Sequence, residues 1–130
     1  MSSLAEQMNA DALEAMKFTR KHFVVELDFL EPTIEQIERL VDDVEFALAG
    51  GKSEDNVALL TRTWGAYLGE VLRRNVGGEW NADDDGKPAL CANDENIFPH
   101  DAVRRRMLGG RDDSIVKFYE HACEQLKQGN

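Results

Sequence analysis

Residues 64 to 80 read WGAYLGEVLRRNVGGEW. Trp64, Leu68, Val71 and Leu72 recur at helical spacing, and Val57 and Leu60 extend the same apolar stripe upstream. Gly65 and Gly69 stand four residues apart inside that helix, where each costs about 1 kcal/mol relative to alanine. Two missing side chains on successive turns leave a flat groove that another backbone can approach closely. The expected visitor is the segment that follows. Gly77 and Gly78 stop the helix, and the apolar period changes from Glu79 onward. A GxxxG membrane-dimer signal is excluded, because Arg62, Glu70, Arg73 and Arg74 cannot face lipid.

Downstream, short apolar runs are broken by DDDG, Pro88 and NDEN, the pattern of two hairpins or a three-stranded meander within residues 79–99. Pro99 ends that region and opens a short helix over about 100–108, closed by Gly109 and Gly110. Asp112 or Asp113 is the expected cap of a last helix, about 112–127, with Ile115, Phe118, Tyr119, Ala122 and Leu126 on its apolar face. Upstream, Ser53 caps the glycine-bearing helix, about 53–76, with Glu54 and Asp55 in its first turn. Thr33 and Gln36 fit a capping box for a helix over 33–49 whose stripe is Ile34, Ile37, Val41, Val44 and Leu48. The run FVVELDF (23–29) reads as extended, and a first helix spans about 3–22. No repeat and no linker divides the chain. The expectation is a single α+β domain over residues 1–130, about five helices packed on a small antiparallel three-stranded sheet.

The net charge is −10 and it is unevenly placed. Residues 26–55 hold ten acids against Arg39 and Lys52 alone. A field of that sign disfavours nucleic acid or an anionic membrane as a direct partner and favours a basic one. Cys91 and Cys123 match no disulfide framework and no CxxC spacing, so they read as free thiols, Cys123 as a core residue of the last helix. MSSLAEQMNADALEAM lacks the basic and apolar regions of a signal peptide, and no run is long and apolar enough to span a bilayer. A cytoplasmic address is the expectation.

WGAYLGEVLRRNVGGEW, IFPHDAVRRRMLGG and DSIVKFY together resemble an uncharacterised bacterial family of small cytoplasmic proteins. The shared pattern is GxxLGExL, then GGxW at the start of a strand, then FPxxxVxRR and a final helix. The resemblance runs from about Trp64 to Tyr119, with a looser match at LDFLEPTIEQIERL. It implies a shared α+β fold and carries no activity, so no catalytic residue is transferred.

Several residues could carry chemistry. Asn81, Asp83, Asp85 and Gly86 begin a calcium loop, but Ala92 stands where the bidentate glutamate belongs and Pro88 breaks the following helix. A turn of solvated aspartates is the simpler reading. His22, His100 and His121 form no HxxxH or HxH pair, so no metal and no cofactor is expected. Phosphate-binding and nucleophile-elbow motifs are absent from the sequence. Arg104, Arg105 and Arg106, with Arg111, Arg73 and Arg74, form the one basic concentration; pairing with the acidic segment or a subunit contact explains it. On the second helix Glu35, Glu38, Asp42 and Glu45 share one face, and Glu31 precedes it on the same side. Such a stripe without lysine repels itself by about 0.2–0.5 kcal/mol per pair. It is either a solvated face or a docking surface for a basic protein.

Three functions remain. The first is a non-catalytic binding protein for a basic partner, in concrete form an immunity protein neutralising a toxin, or an adaptor or chaperone for an effector. The second is an enzyme whose site is assembled from scattered groups such as Glu70, Glu79, His100 and Asp101. The third is a structural role, with the glycine face or the arginine helix forming a homodimer.

Overall fold

Ser3 starts the chain's first helix by accepting the Glu6 N–H on its hydroxyl at 3.1 Å, and that helix, α1, spans Leu4–Phe23. The computed structural model describes residues 3–127. After α1 come α2 (Thr33–Ala47) and α3 (Glu54–Asn75), then strands β1 (Glu79–Ala82), β2 (Pro88–Ala92) and β3 (Glu95–Ile97), and finally α4 (Pro99–Gly109) and α5 (Ile115–Lys127). A 3-10 turn, Arg111–Asp113, joins the last two helices. The fold is α+β, with five helices and one antiparallel sheet in the order β1-β2-β3.

The expected helices and meander are present, and four local expectations change. FVVELDF forms no strand: α1 runs on to Phe23, and the following residues cross to α2 as irregular chain. Thr33 is the first residue of α2 rather than its cap. Its hydroxyl donates to the Leu30 carbonyl at 2.7 Å and meets the Tyr67 hydroxyl at 2.7 Å, so it ties α2 to α3 instead. Asp112 and Asp113 lie in the 3-10 turn, and Ser114 caps α5 by accepting the Lys117 N–H at 3.2 Å. Cys123 is half-buried at the edge of the core.

Helix α3 is the axis of the molecule. Every residue from Thr63 to Leu72 is buried, with α1 and α4 packed along it. Trp64, Tyr67, Leu60 and Leu68 are enclosed, each such side chain contributing about 1.5–3 kcal/mol through loss of apolar contact with water. Their polar atoms are satisfied: Trp64 Nε1 donates to Thr19 Oγ1 at 2.9 Å, and Phe29 N donates to the Tyr67 hydroxyl at 3.0 Å. The sheet register places Trp80, Leu90 and Ile97 in one cross-strand row against this core. Glu79, Cys91 and Asn96 form the adjacent row on the opposite face.

Gly65 and Gly69 are close-packing positions, as expected, but their visitors differ. A Cβ at Gly65 would lie 2.8 Å from the backbone Cα of His100, at the start of α4. A Cβ at Gly69 would collide with the six-membered ring of Trp80, which is a side chain and not the meander backbone.

Candidate functional site

The acidic stripe of α2 is largely engaged within the molecule. Glu38 Oε2 accepts from Arg106 Nε at 2.5 Å, and its Oε1 accepts from the Ser114 hydroxyl at 2.6 Å and the Val116 N–H at 3.2 Å. Asp42 accepts Arg106 Nη2 on both oxygens at 3.1 Å. Glu31 accepts the Tyr119 hydroxyl, and Glu45 accepts the Lys52 N–H at 3.1 Å, closing the turn after α2. Of the five stripe carboxylates, Glu35 alone has no hydrogen bond or ion pair among the described residues. Burial raises the Glu38 pKa, but Ser114, Val116 and Arg106 together outweigh it and hold the carboxyl below its ordinary value. Burial of Tyr119, then its bond to Glu31, drives its hydroxyl pKa far up.

A second cluster joins α3 to β1. The Glu70 side chain is 1% exposed. Its Oε2 accepts Trp80 Nε1 at 2.9 Å and Arg73 Nε at 2.7 Å, while Oε1 accepts Arg73 Nη2 at 3.1 Å. Arg74 approaches the same carboxylate at 3.4 Å, donates to Asn9 Oδ1 at 2.8 Å, and lies 3.6 Å over the Phe29 ring. Burial raises the Glu70 pKa, yet the Arg73 and Trp80 donors dominate and the carboxyl stays ionised to lower pH than usual. Beside this cluster opens a cleft of about 580 Å³, lined by Ala5, Glu6, Asn9, Arg73, Glu79 and Trp80. Its size is that of a small-molecule site.

His100 packs edge-on to Trp80, ring centroids 6.0 Å apart, and its buried Nδ1 has no hydrogen-bond partner among the described residues. Burial lowers its pKa against the opposing pull of Asp11 and Asp101. Asp11, itself buried on α1, accepts Arg62 Nη1 at 2.8 Å. Asp101 instead meets Lys87 at 3.1 Å. No hydrogen bond joins any two of Glu70, Glu79, His100 and Asp101, so the structure does not assemble them into one acid–base constellation.

The outer face of the sheet carries negative charge without such partners. From Glu79 to Ile97 the chain holds six acids and one base, Lys87. Asp83 serves its own turn, accepting the Asp85 and Lys87 N–H groups at 2.9 and 2.8 Å. Asp94 and Glu95 are exposed, and together with Asp83, Asn81, Asn96 and Cys91 they surround a concavity of about 430 Å³ that no lysine or arginine lines. Among the described residues no group of three or more His, Cys, Asp or Glu side chains is placed to hold a metal ion. No helix there is long and apolar enough to cross a membrane.

Sequence reasoning passed over Arg106, Glu70 and Asp11 as buried charges. Each had a signal. Arg106 sits on the helical face of Ala102, Val103 and Met107, Glu70 within the stripe of Tyr67, Leu68, Val71 and Leu72, and Asp11 beside Met8, Ala12 and Ala15. A charged residue inside an apolar stripe marks a buried pair.

No curated protein matches this chain. A crystal structure of a protein from Bacteroides thetaiotaomicron VPI-5482, at 1.50 Å resolution, is similar in fold, with a TM-score of 0.68 at 19% identity. The match covers 95% of this chain and 46% of the other, so this chain spans about half the length of that protein. Residues 45–119, more than half of the chain and including the glycine-bearing helix, the meander and α4, match a family described as Domain of unknown function (DUF3806). The chain belongs to that family.

Proposed function

We propose that this is a non-catalytic binding protein that captures a basic partner protein, a toxin or effector neutralised in the manner of an immunity protein being the concrete form. The partner docks on the outer face of the sheet. The observation that carries this reading is the concavity around Asp83, Asp94 and Glu95, acidic and free of any lining cation. Glu31 and the α2 carboxylates hold Tyr119, Arg106 and the turn after α2, whereas Asp94 and Glu95 of the sheet loop remain available for electrostatic steering.

The test is capture from native lysate on the tagged protein at low and high salt, with wild type beside Asp94→Lys/Glu95→Lys and Glu35→Lys. A basic protein retained by wild type and by Glu35→Lys, weakened by salt and lost on the sheet variant, is the expected result. Equal retention by the sheet variant removes that face from consideration. Loss on Glu35→Lys alone would return docking to α2.

A further inference from the structure

The cleft between the start of α1, the end of α3 and the start of β1 is separate from the docking face, and its polar groups have a definite sense. Glu70 grips Arg73 side-on through Nε and Nη2, which leaves Nη1 with no bond among the described residues on a side chain that is 40% exposed. Asn9 spends its carbonyl oxygen on Arg74, so its amide nitrogen remains as a donor. Glu6 supplies a carboxylate from the α1 wall, and Glu79 lines the cleft at the start of β1. The Trp80 N–H is consumed by Glu70, so the indole offers the cleft only its ring, as Ala5 offers only its methyl group.

A lone anion in this cleft meets Arg73 but also the Glu6 carboxylate, and a lone cation meets that carboxylate but also a fixed guanidinium. A molecule carrying both charges satisfies both. Buried Glu70 holds the guanidinium in a fixed orientation, which lowers the ordering cost of a bidentate contact with a ligand carboxylate. The geometry points to a binding site for a free α-amino acid: its carboxylate on Arg73 and Asn9, its ammonium on Glu6 toward the Glu79 end of the cleft, its side chain against Trp80 and Ala5. This site is independent of the protein-docking reading and stands or falls separately.

The cleft ring is one of two tryptophans, and the other, Trp64, is fully buried. Trp64 contributes a constant background, so a ligand-dependent change in intrinsic fluorescence reports on Trp80. Wild type is titrated with glycine, L-leucine, L-lysine and L-glutamate, then with analogues of the tightest binder lacking either the carboxylate or the ammonium group. A saturable change is expected for at least one amino acid, with each single-charge analogue weaker by about tenfold or more. Arg73→Gln and the exposed pair Glu6→Gln/Glu79→Gln should each weaken binding to a similar extent while far-UV circular dichroism stays unchanged. No saturable response to any of the four amino acids overturns the assignment. So does an analogue binding as tightly as its parent, or unaltered binding by the Glu6→Gln/Glu79→Gln variant, which remains informative if Arg73→Gln fails to fold.

Discussion

The indole nitrogen of Trp80 donates to Glu70 at 2.9 Å while its ring occupies the space that Gly69 leaves open one residue earlier on the helix. One residue thus supplies the room and its neighbour the bond, and both act on the same aromatic side chain. Pro99 also stands 3.2 Å from a would-be Gly69 Cβ, so the ring has little freedom to retreat. Gly69→Ala should lose about 1–3 kcal/mol to overpacking, more than the ~1 kcal/mol that helix propensity returns. Gly69→Leu should lose more still. Urea midpoints check this, and a Gly69→Ala variant more stable than wild type by the ~1 kcal/mol of helix propensity would mean the ring moves without cost.

Arg106 is 2% exposed and holds Glu38 and Asp42 on α2. Removing its main partner strips the Nε bond and leaves the buried cation to Asp42 alone. Glu38→Ala should cost about 3–5 kcal/mol, whereas Arg106→Met, which removes the charge and keeps much of the volume, should cost less. Chemical denaturation of the two variants gives the order, and the reverse order would show that the Arg106 network stabilises the fold by more than its charges cost to bury.

Acid should act in two stages. Glu38 and Glu70 titrate below their ordinary 4.5. The stability they confer is present above 4.5 and is lost as pH falls through their folded values. His100 titrates below its ordinary 6.5 through burial. Both states are neutral well above 6.5, and as pH falls the unfolded chain takes up a proton that the folded chain resists, so the folded state weakens. A urea midpoint that falls between roughly pH 7 and 5 in wild type, and not in His100→Gln, is expected. A flat wild-type profile in that range would refute the first stage.

Much of this was readable from spacing. Gly65 with Gly69, the Ser53 cap and the Gly77–Gly78 stop are local signals, and each was met where the chain's own neighbours decide the outcome. Partners across the fold are different. Nothing local separates Arg106 from Arg104 and Arg105 except its apolar company on α4. Thr33 reads as a cap until Tyr67, 34 residues later, takes its hydroxyl. Glu31, Glu38 and Asp42 look like part of a free face because the groups that bind them lie beyond residue 105.

Val24 closes α1 in the left-handed region at φ 57°, with its side chain 87% exposed. A β-branched residue is strained there and gains nothing from burial. Val24→Gly should stabilise the protein by about 1 kcal/mol, read as a rise in melting temperature. A fall would show that the exposed valine packs against something that forms in solution.

The bond from Arg106 to Glu38 spans 68 residues, and that from Tyr119 to Glu31 spans 88. Until those partners exist, α2 is a short helix whose carboxylates repel one another. In a chain synthesised from its N-terminus, α1 and α3 can pair as soon as they emerge and Thr33 can meet Tyr67, but the carboxylates Glu31, Glu38 and Asp42 have to wait for the last quarter of the polypeptide. The charge pattern of α2 therefore works as a timing device: the acidic face stays unpaired during synthesis and is latched when the end of the protein arrives.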